Sequence, residues 1–164
     1  MENKPLYLIV HHTGGTDADP LADTSNHTFE IVDSYHTSLG WGGIGYHYFI
    51  DKKGTLTAGR PENTKGAHTI GYNNISIGIC LAGNFDLTLP TKEQEKTLAE
   101  LLKTLQARYK IPAEKIVPHR EFANKTCYGK KLADDWARNL ILQNDPKKNI
   151  LNLIDDLRKQ IEML

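Results

Sequence analysis

Three segments of the chain gather side chains with chemistry to offer. The apolar run Leu6–Val10 ends in His11-His12-Thr13-Gly14-Gly15. Tyr46-His47 opens a second run that continues to Ile50, and residues 118–127 read Pro-His-Arg-Glu-Phe-Ala-Asn-Lys-Thr-Cys. A single histidine is ordinarily a satisfied structural residue, so the set carries the weight. Two imidazoles and one thiolate are good zinc ligands, and a catalytic zinc typically takes three protein groups and keeps its fourth position for water. Paired short motifs able to supply four ligands, as in a zinc finger, are absent from the sequence. An open metal site is therefore the better metal hypothesis. Cys80 lies inside Ile77-Gly78-Ile79-Cys80-Leu81 and reads as a small buried hydrophobe. Two cysteines make no disulfide framework.

Residues 6–10 have the continuous apolar character of a buried strand, which delivers His11 to its C-terminal end. Phe29, Val32, His36 and Leu39 recur at helical spacing, predicting a helix from about Thr24 to Leu39 that stops at Gly40. Tyr46–Ile50 and Thr55–Ala58 flank Asp51-Lys-Lys-Gly54 and read as a β-hairpin. Residues 59–74, rich in Gly, Asn, Thr and Pro, form a surface loop long enough to suggest function. Ser76–Ala82 is a further buried strand. Thr91 and Gln94 have capping-box spacing, and Leu98, Leu101, Leu102, Leu105 and Tyr109 line one face of the helix that follows. Residues 115–118 are extended and lead to His119, and a helix covers about 133–142. Asn144-Asp145-Pro146 breaks and restarts the chain, with Ile150, Leu153, Ile154, Leu157, Ile161 and Leu164 forming a last stripe. That stripe is expected to dock on the body rather than form a dimer seam, giving a domain over 1–143, an extension over 144–164 packed on it, and a monomer.

Composition narrows the class. Among 164 residues, 39% are hydrophobic and 24% charged, as in an ordinary folded domain. Lys plus Arg and Asp plus Glu are 20 each, so no basic excess points to nucleic acid. No run approaches the ~18 apolar residues of a membrane helix. The first residues lack the basic start and long apolar run of a secretory signal, which predicts a cytoplasmic protein.

Taken in order, Val10-His11-His12-Thr13, Gly40-Trp41, Gly45-Tyr46-His47-Tyr48, Gly66-Ala67-His68-Thr69-Ile70-Gly71-Tyr72-Asn73, Ser76-Ile77-Gly78-Ile79-Cys80, and His119 followed by Cys127 carry a resemblance. The chain resembles the zinc-dependent N-acetylmuramoyl-L-alanine amidases of the type-2 amidase and peptidoglycan-recognition-protein superfamily, and within it the amidase-type bacteriophage lysozymes. The resemblance covers roughly residues 5–142. It implies an α/β fold with a central mixed β-sheet flanked by helices. It implies one zinc ion on His11, His119 and Cys127, with Tyr46 and Lys125 at the positions of the catalytic tyrosine and lysine. His68 matches a substrate-contacting position, and Arg60 and Asn74 are candidates to line the groove beside it. One departure is Cys127-Tyr128-Gly129, where the family often has proline after the cysteine.

The implied reaction is cleavage of the amide between N-acetylmuramic acid and the L-alanine of the stem peptide. Zinc brings the pKa of a bound water down toward about 7, and Lys125 and the metal offset charge on the carbonyl oxygen. The Tyr46 phenol hydrogen-bonds the water or moves a proton to the departing nitrogen. Glu121 is the other acid in reach by sequence, read as structural. His36 and His47 flank core motifs and read as structural, and Trp41 and Tyr72 suit packing as well as stacking on sugars. The partner implied is peptidoglycan or its muropeptides. A cell-wall-lysing endolysin released through a separate pore, a cytoplasmic muropeptide-recycling amidase, and a muropeptide-binding module without catalysis remain the alternatives.

Overall fold

The computed structural model describes residues 2–16, 18–143, 150, 154 and 157–162. Five strands form one mixed sheet: β1 (Tyr7–His12), β2 (Tyr48–Ile50), β3 (Leu56–Ala58), β4 (Ser76–Leu81) and β5 (Ile116–Pro118). Their spatial order is β3-β2-β4-β1-β5, with only the β2–β3 hairpin antiparallel. Among the described residues, the helices flanking the sheet are α1 (Phe29–Ser38), α2 (Lys92–Tyr109) and α3 (Trp136–Gln143). Strands covered on both faces read as unbroken apolar runs, and every residue of β4 is buried.

The register sorts the side chains. Leu8 pairs with Ile77, Val10 with Ile79, and Ile50 with Leu81. These residues share a core with Leu98, Leu101, Leu102 and Leu105 of α2 and Ala137 of α3. On the opposite face, His11 pairs with Cys80 and Cys80 with Phe49. A smaller core of Val32, Ile44, Phe49 and Cys80 sits there under α1. That side of the sheet, at the C-terminal end of β1, is where His11 emerges.

Local chemistry sets the element ends. The predicted capping box is present: the Gln94 amide donates to the Thr91 hydroxyl, and the Gln94 side chain accepts from the Thr91 amide. Helix α1 starts at Phe29, later than predicted, because Thr24 is engaged elsewhere. Its buried hydroxyl donates to the Gly14 carbonyl at 2.6 Å, and Thr28 caps the helix instead. Gly40 ends it at φ 79°, where a side chain is disfavoured. Helix α3 starts at Trp136 rather than near 133, since the carbonyls of Ala133 and Asp134 accept the Tyr128 hydroxyl. Among the described residues no helix is long and apolar enough to cross a membrane. Of the terminal stripe, Ile150, Ile154, Leu157 and Ile161 are described and exposed. Most of 144–164, and with it the expected docking, lies outside the described residues.

The long loop is pinned to the body by one carboxylate. Glu62 accepts the phenols of Tyr48 and Tyr109 and pairs with the Arg108 guanidinium. Burial opposes its charge, but the three donors outweigh burial and hold the carboxyl below its ordinary range. A lowered folded-state pKa stabilises the fold above the unfolded carboxylate pKa of about 4.3 and loses that contribution as pH falls through the lowered value. Glu62→Gln should therefore unfold at lower urea than the parent at pH 7. The gap should close as pH falls below about 4, and a gap of constant size across urea titrations would contradict this account.

Candidate metal centre

Three elements converge at the sheet edge. β1 carries His11 one residue before its C-terminal end, and the side chain is buried. β5 runs directly into His119, which opens a short 3-10 turn, His119–Glu121. Cys127 comes from the loop beyond that turn. One ligand atom from each of His11, His119 and Cys127 lies within 4.8 Å of the others. His11 Nδ1 is 3.8 Å from Cys127 Sγ, and the His11 and His119 ring centres are 4.5 Å apart. The His12 amide donates to Cys127 Sγ at 3.4 Å. The His12 ring points to the other face, where its Nδ1 accepts the Phe85 amide at 2.9 Å.

Burial holds the three groups in their uncharged forms. Burial, reinforced by His68 and His119, pushes His11 well below the ordinary imidazole value. Burial, then the charge of Lys125, lowers His119 to about 4. Both rings are neutral near pH 7, as metal ligation requires. Burial pushes the Cys127 thiol up to about 12 despite the His12 amide and the charges of Lys125 and Arg120. A thiolate here needs a cation against it, and a bound metal ion deprotonates a coordinating thiol outright. Two imidazoles and a thiolate fit a borderline-soft divalent ion.

Tyr46 precedes β2 and stands beside this cluster, its ring centre 5.0 Å from that of His11. Burial first, then the Cys80 and Cys127 thiols, raise its phenol well above the ordinary value, so it is a proton donor at neutral pH. Lys125 is exposed on the loop two positions before Cys127, and its charge is felt at His11, His119 and Cys127.

The Cys127 loop holds its shape without the family's proline. Arg120 donates to the carbonyls of Gly129 at 2.7 Å, Leu132 at 2.7 Å and Thr126 at 3.3 Å, and pairs with Asp134. Tyr128 is fully buried, with the Arg120 guanidinium over its ring at 5.3 Å. Asp86 accepts the Thr126 hydroxyl and the Lys130 amide, each at 2.8 Å. Neither Arg120 nor Asp86 was singled out from sequence, where a charged loop residue carries no sign of the carbonyls it will meet.

The remaining predicted residues occupy the wall formed by residues 59–74. His68 is 9% exposed and sits behind His11, with its Nδ1 at 3.1 Å from His11 Nε2. Arg60 spends its donors on the carbonyls of Ile44, Lys65 and Trp41 at 2.8–3.0 Å. Asn74 is half-buried, and its carbonyl accepts the Lys4 amide. Its neighbour Asn73 braces the wall, its Oδ1 accepting the amides of His68 and Thr69. His36 and His47 hold backbone, accepting the amides of Gly45 and Gly78. Glu121 is exposed on the turn after His119. Trp41 packs on His36, and Tyr72 stacks on Phe122 with ring centres 3.7 Å apart.

The chain is similar to known proteins in sequence and fold. Residues 1–130 match the family described as N-acetylmuramoyl-L-alanine amidase. An endolysin of Escherichia phage T7 is 37% identical over 120 residues, covering 70% of this chain and 78% of that protein. A Homo sapiens N-acetylmuramoyl-L-alanine amidase is 31% identical over 133 residues, covering 78% of this chain and 23% of that protein. Among solved structures, the N-acetylmuramoyl-L-alanine amidase LysC from Clostridium intestinale superposes with a TM-score of 0.70 at 33% identity, covering 79% of this chain and 80% of that one. Drosophila PGRP-LB superposes at 0.67 with 28% identity, covering 80% and 78%.

Arg120 generates a prediction of its own. Removing its side chain takes a charged donor from three carbonyls, of which Thr126 and Gly129 keep a backbone amide partner, and hydrogen bonds from a charged donor are worth about 1.5–3 kcal/mol each. Arg120→Ala should cost about 2 kcal/mol or more in urea unfolding. It should also speed labelling of Cys127 by a thiol reagent in metal-free protein, while the deeply buried Cys80 stays slow. Unchanged stability and labelling would show that the loop holds itself.

Proposed function

The chain belongs to the N-acetylmuramoyl-L-alanine amidase family, and we propose that it is a zinc-dependent peptidoglycan amidase acting as a cell-wall-lysing endolysin. Its substrate is the amide joining N-acetylmuramic acid to the L-alanine of the stem peptide. The observation that carries the reading is the convergence of His11, His119 and Cys127 within 4.8 Å at the edge of the sheet, with Tyr46 against them. The similarity to a phage endolysin over most of its length supports intact wall as the target.

In this reading His11, His119 and Cys127 hold one zinc ion. A zinc ion so held supplies Lewis-acid polarisation of the carbonyl and a water acidified toward neutrality. The protein's own groups do the rest. Tyr46, kept protonated by its surroundings, donates to the carbonyl oxygen as negative charge grows there, or passes its proton to the departing alanine nitrogen while taking one from the attacking water. Lys125 brings positive charge over the same edge without a desolvation cost, because it stays exposed. Preorganised donors of this kind act on the transition state more than on bound substrate. Arg60, its donors spent on carbonyls, braces the groove wall, and Asn74 belongs to the same wall.

End-group analysis of digested sacculi tests the bond cleaved. New L-alanine amino groups with no new reducing sugars are expected, whereas reducing sugars alone would overturn the amidase reading. Faster release from sacculi than from soluble muropeptides is expected of an endolysin, and the reverse preference would favour a recycling role. Cys127→Ser should lose zinc, by metal analysis, together with hydrolysis. Tyr46→Phe and Lys125→Ala should each lower kcat on the order of 100-fold with little change in KM. A rise in KM at unchanged kcat would reassign that residue to binding.

A further inference from the structure

We propose that a chain of hydrogen bonds running from the Tyr72 carbonyl through Ser76 and His68 to His11 fixes the tautomer of His11, leaving Nδ1 as its bare, metal-binding nitrogen. This inference rests on the metal reading above and makes His68 a positioning residue for a ligand.

The assignment follows from counting protons. The Ser76 hydroxyl donates to the Tyr72 carbonyl at 2.7 Å. A hydroxyl has one proton, so toward His68 Nε2, at 3.4 Å, Ser76 can only accept. His68 Nε2 therefore carries the ring proton. Burial disfavours a second ring proton, so His68 Nδ1 is bare and accepts. Two groups face it: Thr69 Oγ1 at 3.0 Å and His11 Nε2 at 3.1 Å. Two bare ring nitrogens 3.1 Å apart would repel, so His11 Nε2 carries its ring's proton. His11 Nδ1, on the Cys127 side at 3.8 Å from the sulfur, is left with its lone pair free. The reverse order fails at both ends. A proton on His68 Nδ1 would turn a bare Nε2 toward the Ser76 oxygen with no proton between them. It would also place the His11 proton on the nitrogen that faces the ligand cluster.

The surroundings hold His68 to this one orientation. Its ring lies across the backbone of two glycines. A Cβ at Gly78 would stand 2.5 Å from His68 Cγ and Cδ2, and one at Gly66 would stand 2.6 Å from Cδ2. Asn73 Oδ1 fixes the backbone beneath, accepting the His68 amide at 2.7 Å. Ser76 and Gly78 share the face of β4 that Cys80 and His11 also occupy. Gly66, His68, Asn73, Ser76 and Gly78 thus form one unit whose output is the proton position on His11. Outer partners of metal-bound histidines fix tautomer and ring orientation, and their loss typically costs 10- to 100-fold in metal affinity.

The test reads zinc binding and ring protonation rather than activity. In metal-free wild-type protein, 15N NMR of the imidazoles should show His11 and His68 both protonated at Nε2. Competition with a chromogenic chelator should show zinc affinity falling on the order of 10- to 100-fold in His68→Leu. It should largely recover in His68→Asn, whose amide can accept from His11 and donate to Ser76. Ser76→Ala, which leaves His68 in place, should populate a second His68 tautomer in the NMR and weaken zinc severalfold, so a His68→Leu chain that fails to fold leaves the proposal exposed. A His11 protonated at Nδ1, or zinc affinity unchanged in Ser76→Ala and His68→Leu, would overturn it while the amidase reading stands. A wild-type chain that binds no zinc would overturn both.

Discussion

Successive side chains of a β-strand leave on opposite faces, and the architecture of this protein depends on that alternation at the end of β1. His11 leaves toward His119, Cys127 and Tyr46. His12, one residue on, leaves toward Phe85, whose amide it accepts. Both contacts concern the site. Phe85 lies in the segment that carries Asp86, and Asp86 holds the turn bearing Cys127 through Thr126 and Lys130. One histidine joins His119 and Cys127, while its neighbour secures the loop that carries Cys127. A register slip by one residue would exchange these roles and dismantle both arrangements.

Burial gives the cluster its character. Two imidazoles driven toward neutrality and a thiol that resists ionisation form a set with little charge of its own. A divalent ion bound among them would offset what burial disfavours, so ion binding and thiol ionisation would be one event. The same low-dielectric surroundings keep the Tyr46 phenol protonated. The permanent charge that bears on the centre from the open side, Lys125, is exposed and remains solvated.

The wall over residues 59–74 shows how an irregular segment is held next to such a centre. Where an irregular segment packs on the body, its covered backbone needs partners, and here side chains supply many of them. Arg60 caps three carbonyls, Asn73 caps two amides, and Glu62 ties the segment to β2 and α2. Polar residues that look available in the sequence are spent on shape. The surface they support is the one that faces the ligand cluster through His68.

Periodicity and caps are local properties, so the sequence by itself determined the five strands, the three flanking helices and the capping box at Thr91. Ordered motifs carried the resemblance that named His11, His119, Cys127, Tyr46 and Lys125, because residue types in a fixed order survive even when their spatial relation is unknown. Tertiary structure decided what depends on contacts between distant segments. Nothing near Arg120 in the sequence announces the carbonyls of Thr126, Gly129 and Leu132, and nothing near Thr24 announces Gly14, whose carbonyl draws it away from the start of α1. His68 is the sharpest case. From sequence it is a polar residue in a groove-lining loop. In the fold, two glycines admit its ring against the sheet, and its neighbours settle where its proton and that of His11 must lie. Proton positions follow from who donates to whom, and that order exists only once the chain has folded.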